Sequence, residues 1–137
     1  PEPIIGDIDN FQKLGEFRKA IISYQTAIKI QSNYVAAHHN LGKLFQKMRE
    51  HQKAINCFQK AIHIKSNHAD THYNLGMIFQ ELGQFDRAIS SYQMAVKYEP
   101  ENLAYFYYLS DLKKDILSLN LKKKIAIILF ILLMDLD

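Results

Sequence analysis

The chain has 137 residues, 48% of them apolar and 23% charged, which excludes a disordered solvating polymer and fits a folded protein of single-domain size. Its net charge of +3 sits largely in Lys113-Lys114 and Lys122-Lys123-Lys124 and not along one repeated face, so nucleic-acid binding is not expected. One cysteine, Cys57, excludes an intramolecular disulfide and suits a reducing, cytoplasmic setting. Pro1-Glu2-Pro3 offers neither an initiator Met nor a basic-then-apolar leader, and reads as the opening of an excised or processed piece.

The chain repeats itself every 34 residues: Asn40-Leu41-Gly42 returns as Asn74-Leu75-Gly76. Ala20, Ala54 and Ala88 keep that interval, as do Tyr24, Phe58 and Tyr92, and Ala27, Ala61 and Ala95. Such a period marks one supersecondary unit stacked on copies of itself. It divides the chain into units 1–34, 35–68, 69–102 and a divergent 103–137.

Unit one fits the pattern only in its second half, through Leu14-Gly15-Glu16-Phe17, Ala20, Tyr24 and Ala27. Asp7-Ile8 replaces Leu-Gly, so its first helix is expected to be short or irregular after Pro3 and Gly6. Unit two predicts helices over 37–48 and 52–64, separated from the next unit by Ser66-Asn67. Arg49 stands where Gly15 and Gly83 stand in the other turns, and a weaker or differently shaped turn is expected there. Unit three predicts helices over 71–82 and 85–98, parted by Gly83 and closed by Pro100. Gly42, Gly76 and the alanines allow close backbone approach, while Phe45, Phe58, Phe79 and Tyr92 fill the remaining volume. A further helix is expected over 103–118. Beyond Lys122-Lys123-Lys124, the run Ile125–Met134 is apolar all round.

His72, Asn74, Leu75, Gly76, Phe79, Gly83, Phe85, Ala88, Ile89, Tyr92, Ala95 and Pro100, taken together, resemble the tetratricopeptide repeat. The resemblance is strong over 35–102, good over 11–34 and weak over 103–137. His38 and His72 depart from the large aromatic common in the family, and Ser32 and Ser66 depart from the proline seen at 100. The resemblance implies an all-α, right-handed superhelical α-solenoid of stacked antiparallel helix pairs. Its first helices would line a concave groove that binds a peptide or partner protein without catalysis.

Residues flanking the Leu-Gly packing positions should face that groove. They are His39, Asn40, Lys43, Gln46 and Lys47 in unit two, and Tyr73, Asn74, Met77, Gln80 and Glu81 in unit three. If the fourth unit keeps register, Tyr107, Tyr108 and Asp111 follow. An amide both donates and accepts, so Asn40 and Asn74 could bracket a ligand's peptide unit; the alternative is that both are polar side chains the fold accepts at its surface. The family's carboxylate clamp is disfavoured, because the matching places hold Ile5, Asp9, Asn40, Asp70 and Asn74, with no cation among them. No metal or other cofactor is expected: His68 precedes its helix, and His38-His39 point in different directions. Cys57 reads as a small packing residue without a base beside it.

Two further readings concern the chain's surroundings. The array also resembles the N-terminal arrays of bacterial sulfotransferases and glycosyltransferases, which implies a substrate-presenting role in a larger enzyme. Ten apolar residues span about 15 Å as a helix, half a bilayer's hydrocarbon core, so a membrane span is disfavoured. Ile125–Met134 could instead bury against a downstream domain, mediate self-association, or be non-native sequence.

Overall fold

The computed structural model describes residues 5–136, with side chains from residue 12 onward. Six helices follow one another: α1 Ile5–Ile30, α2 Val35–Lys47, α3 His51–Ile64, α4 Ala69–Glu81, α5 Phe85–Tyr98 and α6 Leu103–Met134. No strand occurs among the described residues. α2 packs chiefly on α3, and α4 on α5, forming two helical hairpins. α1 lies on α2, α3 on α4 and α5 on α6, and a lighter contact joins the first helices α2 and α4. Each element touches its neighbours in sequence, which makes the molecule an all-α helical-repeat solenoid.

Each hairpin closes on one glycine. A Cβ added to Gly42 would lie 2.6 Å from the Phe58 ring, and one added to Gly76 would lie 2.6 Å from the Tyr92 ring. Both contacts are impossible, so a flat aromatic side chain needs a bare backbone opposite it. The alanines of the second helices, Ala54, Ala61, Ala88 and Ala95, are fully buried for the same reason of close approach. Around them Phe58, Ile78 and Tyr92 form the most deeply buried part of a core that continues to Leu109 and Leu112.

The two hairpin turns have the same geometry although their residues differ. Gly83 has φ 73° and Arg49 has φ 59°, both left-handed. In one turn the Gly83 and Gln84 N–H groups donate to the Gln80 and Phe79 carbonyls; in the other those of Arg49 and Glu50 donate to Gln46 and Phe45. This is the Schellman pattern in both cases. The expectation of a differently shaped turn at Arg49 is therefore corrected: the helix crossing imposes the turn, and Arg49 accepts a strain of about 1 kcal/mol. Lys53 over the Phe45 ring and Arg87 over the Phe79 ring, each at 5.6 Å, repeat across the same two turns.

Both ends of the stack depart from the sequence expectation. From Ile5 onward α1 is one continuous helix that runs straight through Gly15, whereas a short first helix and a turn were expected; Pro3 lies outside the described residues. One period upstream of Gly42 the sequence has Ile8 in place of glycine. α6 likewise continues past 118 as one helix of 32 residues, capped at its start by the Asn102 side chain accepting from the Ala104 N–H at 3.1 Å. Tyr105, Leu109 and Leu112 are its buried residues; from Leu117 onward every described residue is exposed. No described helix is long and apolar enough to cross a membrane.

Candidate functional site

The first helices α2 and α4, with the start of α6, carry all the residues singled out for the groove. Asn40, Lys43 and Lys47 line a cleft of about 220 Å³ between α1 and α2, completed by Ala20, Tyr24 and Leu44. Lys43 and Lys47 are exposed and Asn40 is half-buried. Tyr73 and Met77 are half-buried on α4, and Glu81 is exposed, 3.8 Å from His51 Nδ1. Tyr107 and Tyr108 are exposed on α6. The Tyr73 and Tyr108 ring centroids are 5.3 Å apart, and Tyr107 meets Tyr108 edge-on at 5.5 Å. These rings form a continuous aromatic surface from α4 to α6. Burial, then the neighbouring Tyr108, pushes the Tyr73 hydroxyl up to about 12, which leaves it a hydrogen-bond donor at neutral pH.

His39 and Asn74 are held more tightly than the others. Asn74 is buried and its amide donates to the Asp70 carbonyl at 2.9 Å. His39 is buried with Nε2 3.1 Å from the Asp70 carboxylate and Nδ1 2.8 Å from the Thr71 hydroxyl. The carboxylate places the ring proton on Nε2, so Nδ1 accepts from Thr71. The Thr71 oxygen then accepts from His68 Nδ1–H at 2.6 Å, and the Tyr105 hydroxyl donates to Asp70 at 3.4 Å. One polar network thus ties α2, the N-terminus of α4 and α6 together. The His39 hydrogen bond is the main cause that holds the Asp70 carboxyl below its usual range, and burial lowers the His68 imidazole. Sequence reasoning missed this network because its members come from three elements; Thr71 and Asp70 in the first turn of α4 were the available signal.

His38 and His72 serve the joints between units. Each is buried, and Nε2 of each donates to the loop carbonyl six residues back, Ser32 at 2.9 Å and Ser66 at 2.8 Å. The two departures from the repeat pattern, histidine and serine, therefore meet in one contact made twice. Larger depressions lie elsewhere. One of about 620 Å³ separates the end of α1 from α3, lined by Ile28, Asn56, Lys60 and His63 among others. Another, of about 730 Å³, lies between the α4–α5 turn and Ile116 and Asn120 of α6. Among the described residues no three His, Cys, Asp or Glu side chains converge on a metal-sized point. Burial raises the Cys57 thiol, against a weaker opposite pull from Lys60.

A stack of hairpins whose first helices present an open polar and aromatic surface defines a repeat scaffold. The pattern described as "Tetratricopeptide repeat" matches residues 34–98, and that described as "TPR repeat" matches residues 9–48. The chain belongs to the tetratricopeptide repeat family, and as such it is a protein-interaction module. Among solved structures it is similar to "Crystal structure of MamA protein", with 24% identity, 77% of this chain covered and a TM-score of 0.68. It is also similar to "MamA RS-1 ArsTM double mutant", with 21% identity, 76% covered and a TM-score of 0.66. The chain spans 58% of the length of each of those two chains, and the likeness is one of fold. No curated protein matches.

Proposed function

We propose that the first-helix side of the stack binds an extended segment of a partner protein. The carrying observation is that exposed cations on α2, half-buried Tyr73 and Met77 on α4 and exposed tyrosines on α6 follow one another along one stack. Lys43 and Lys47 beside Asn40 favour an acidic stretch of ligand at the α2 end. Tyr73, Tyr107 and Tyr108 with Met77 favour apolar or aromatic side chains toward α6, and Glu81 adds an acceptor between them. His39 and Asn74, already engaged by Asp70 and Thr71, contribute shape and rigidity rather than direct reach.

The test is selection of peptides from a random display library on the 137-residue chain, followed by binding to variants. Acidic residues should be enriched next to an aromatic one. Lys43→Glu with Lys47→Glu should weaken such peptides about tenfold or more, with helicity by circular dichroism unchanged. Binding indifferent to those two charges and to Tyr108→Ala would sink the reading.

A further inference from the structure

Every described residue of α6 beyond Ile116 is exposed, and its final stretch, Ile125–Met134, is a bare apolar rod. Ile125 is 49% exposed, Phe130 64% and Leu133 65%, and every side chain from 125 to 134 is apolar. The rod is bracketed by opposite charges. Exposed Lys122, Lys123 and Lys124 precede it, and Asp135 caps its end, where the free carbonyls of the last turn add negative potential.

We propose that this arm pairs antiparallel with the same arm of a second copy of the chain. Placing a two-fold axis between positions 129 and 130 sets Ile128 against Ile131 of the other copy, on the helix face that also carries position 124 and position 135. The same register brings Lys124 of each copy to Asp135 of the other. One symmetric operation therefore covers the apolar seam and pairs the charges at both ends. A parallel pair would instead stack the three lysines of one arm on those of the other. Insertion into a lipid leaflet would carry Asp135 about 15 Å down, to the middle of the bilayer. Because the arm is apolar on every side, two antiparallel pairs can also close into a four-arm bundle; an antiparallel arrangement has an even number of members in either case.

The 137-residue chain should scatter light as an even multiple of its 16.0 kDa mass across the micromolar range. Ile128→Glu with Leu132→Glu, which touch nothing in the body of the molecule, should return it to a monomer with helicity retained over 5–116. Orientation is tested by charge reversal. Lys124→Asp alone and Asp135→Lys alone should each weaken association about tenfold, because either change turns both end pairs of an antiparallel dimer into like charges. A parallel dimer holds like charges at both ends already. Mixing the two variants should bring association back to the wild-type level. A monomer at all concentrations, a trimer, or an assembly indifferent to positions 128 and 132 would overturn the proposal. So would failure of the mixture to recover association, or a monomer that sediments with vesicles containing anionic lipid.

Discussion

Thr71 is fully buried with a hydroxyl shared between His39 and His68. That hydroxyl gives its one proton to His39 Nδ1 and accepts from His68 Nδ1–H. Its dependence on pH follows from the shifts of its members. The folded His68 binds a proton less readily than the free value of 6.5, because burial comes first and His39 and Lys65 oppose its charge, against weaker pulls from Asp70 and Glu99. The unfolded chain then binds more protons below that pH, so stability is complete above 6.5 and declines as pH falls through it. Asp70, held below 3.8, adds stability that is lost only at still lower pH. Melting temperature followed by circular dichroism should therefore be flat above neutrality, fall below pH 6.5 and fall again in strong acid. His68→Gln, which keeps a donor near Thr71, should flatten the first decline and leave the second. None of this was legible in one repeat, because His39 and Thr71 are 32 residues apart and meet only once α2 and α4 stack.

At the scale of the helix, two glycines with different duties separate cleanly. Unit two lacks the turn glycine and keeps the crossing glycine, and it forms a hairpin. Unit one keeps a turn glycine, Gly15, but has Ile8 at the crossing, and its chain runs on as one helix. Hairpin formation thus goes with the crossing glycine and not with the turn glycine in these units. Gly15 sits in a helix with open space where a Cβ would go. Gly15→Ala should raise stability by about 0.5–1 kcal/mol, read as a higher midpoint in urea. Were Gly15 the left-handed corner of a hairpin, the same change would destabilise instead. Periodicity located the four central helices to within two residues at each end, since their apolar stripes and alanines repeat at fixed spacing. It failed at the two ends: Gly15, expected in a turn, lies inside α1, and α6 runs on past 118 to Met134.

For the molecule as a whole, contact follows chain order, so stability should grade from the middle outward. α4 and α5 are packed on both sides, whereas α1 has α2 as its principal neighbour and α6 has no buried residue beyond Leu112 among those described. Native-state hydrogen exchange on a dilute sample should show the strongest amide protection at Leu75–Phe79 and Ala88–Tyr92 and the weakest beyond Leu117. Equal protection throughout would contradict a stack held by nearest neighbours. The exposed half of the candidate groove, Lys43, Lys47, Tyr107 and Tyr108, was readable from register, because the side of a first helix opposite its packing stripe is fixed by period. The inward half was not, since burial of His39 and Asn74 depends on what α4 and α6 place beside them. Ile8 carries a last implication. Glycine stands at the crossing of both hairpins and isoleucine in the unbroken first unit. Ile8→Gly is therefore the one-residue change expected to fold α1 back on itself, read as lost helical backbone shifts around Gly15; an α1 that stays continuous would assign its straightness to another cause.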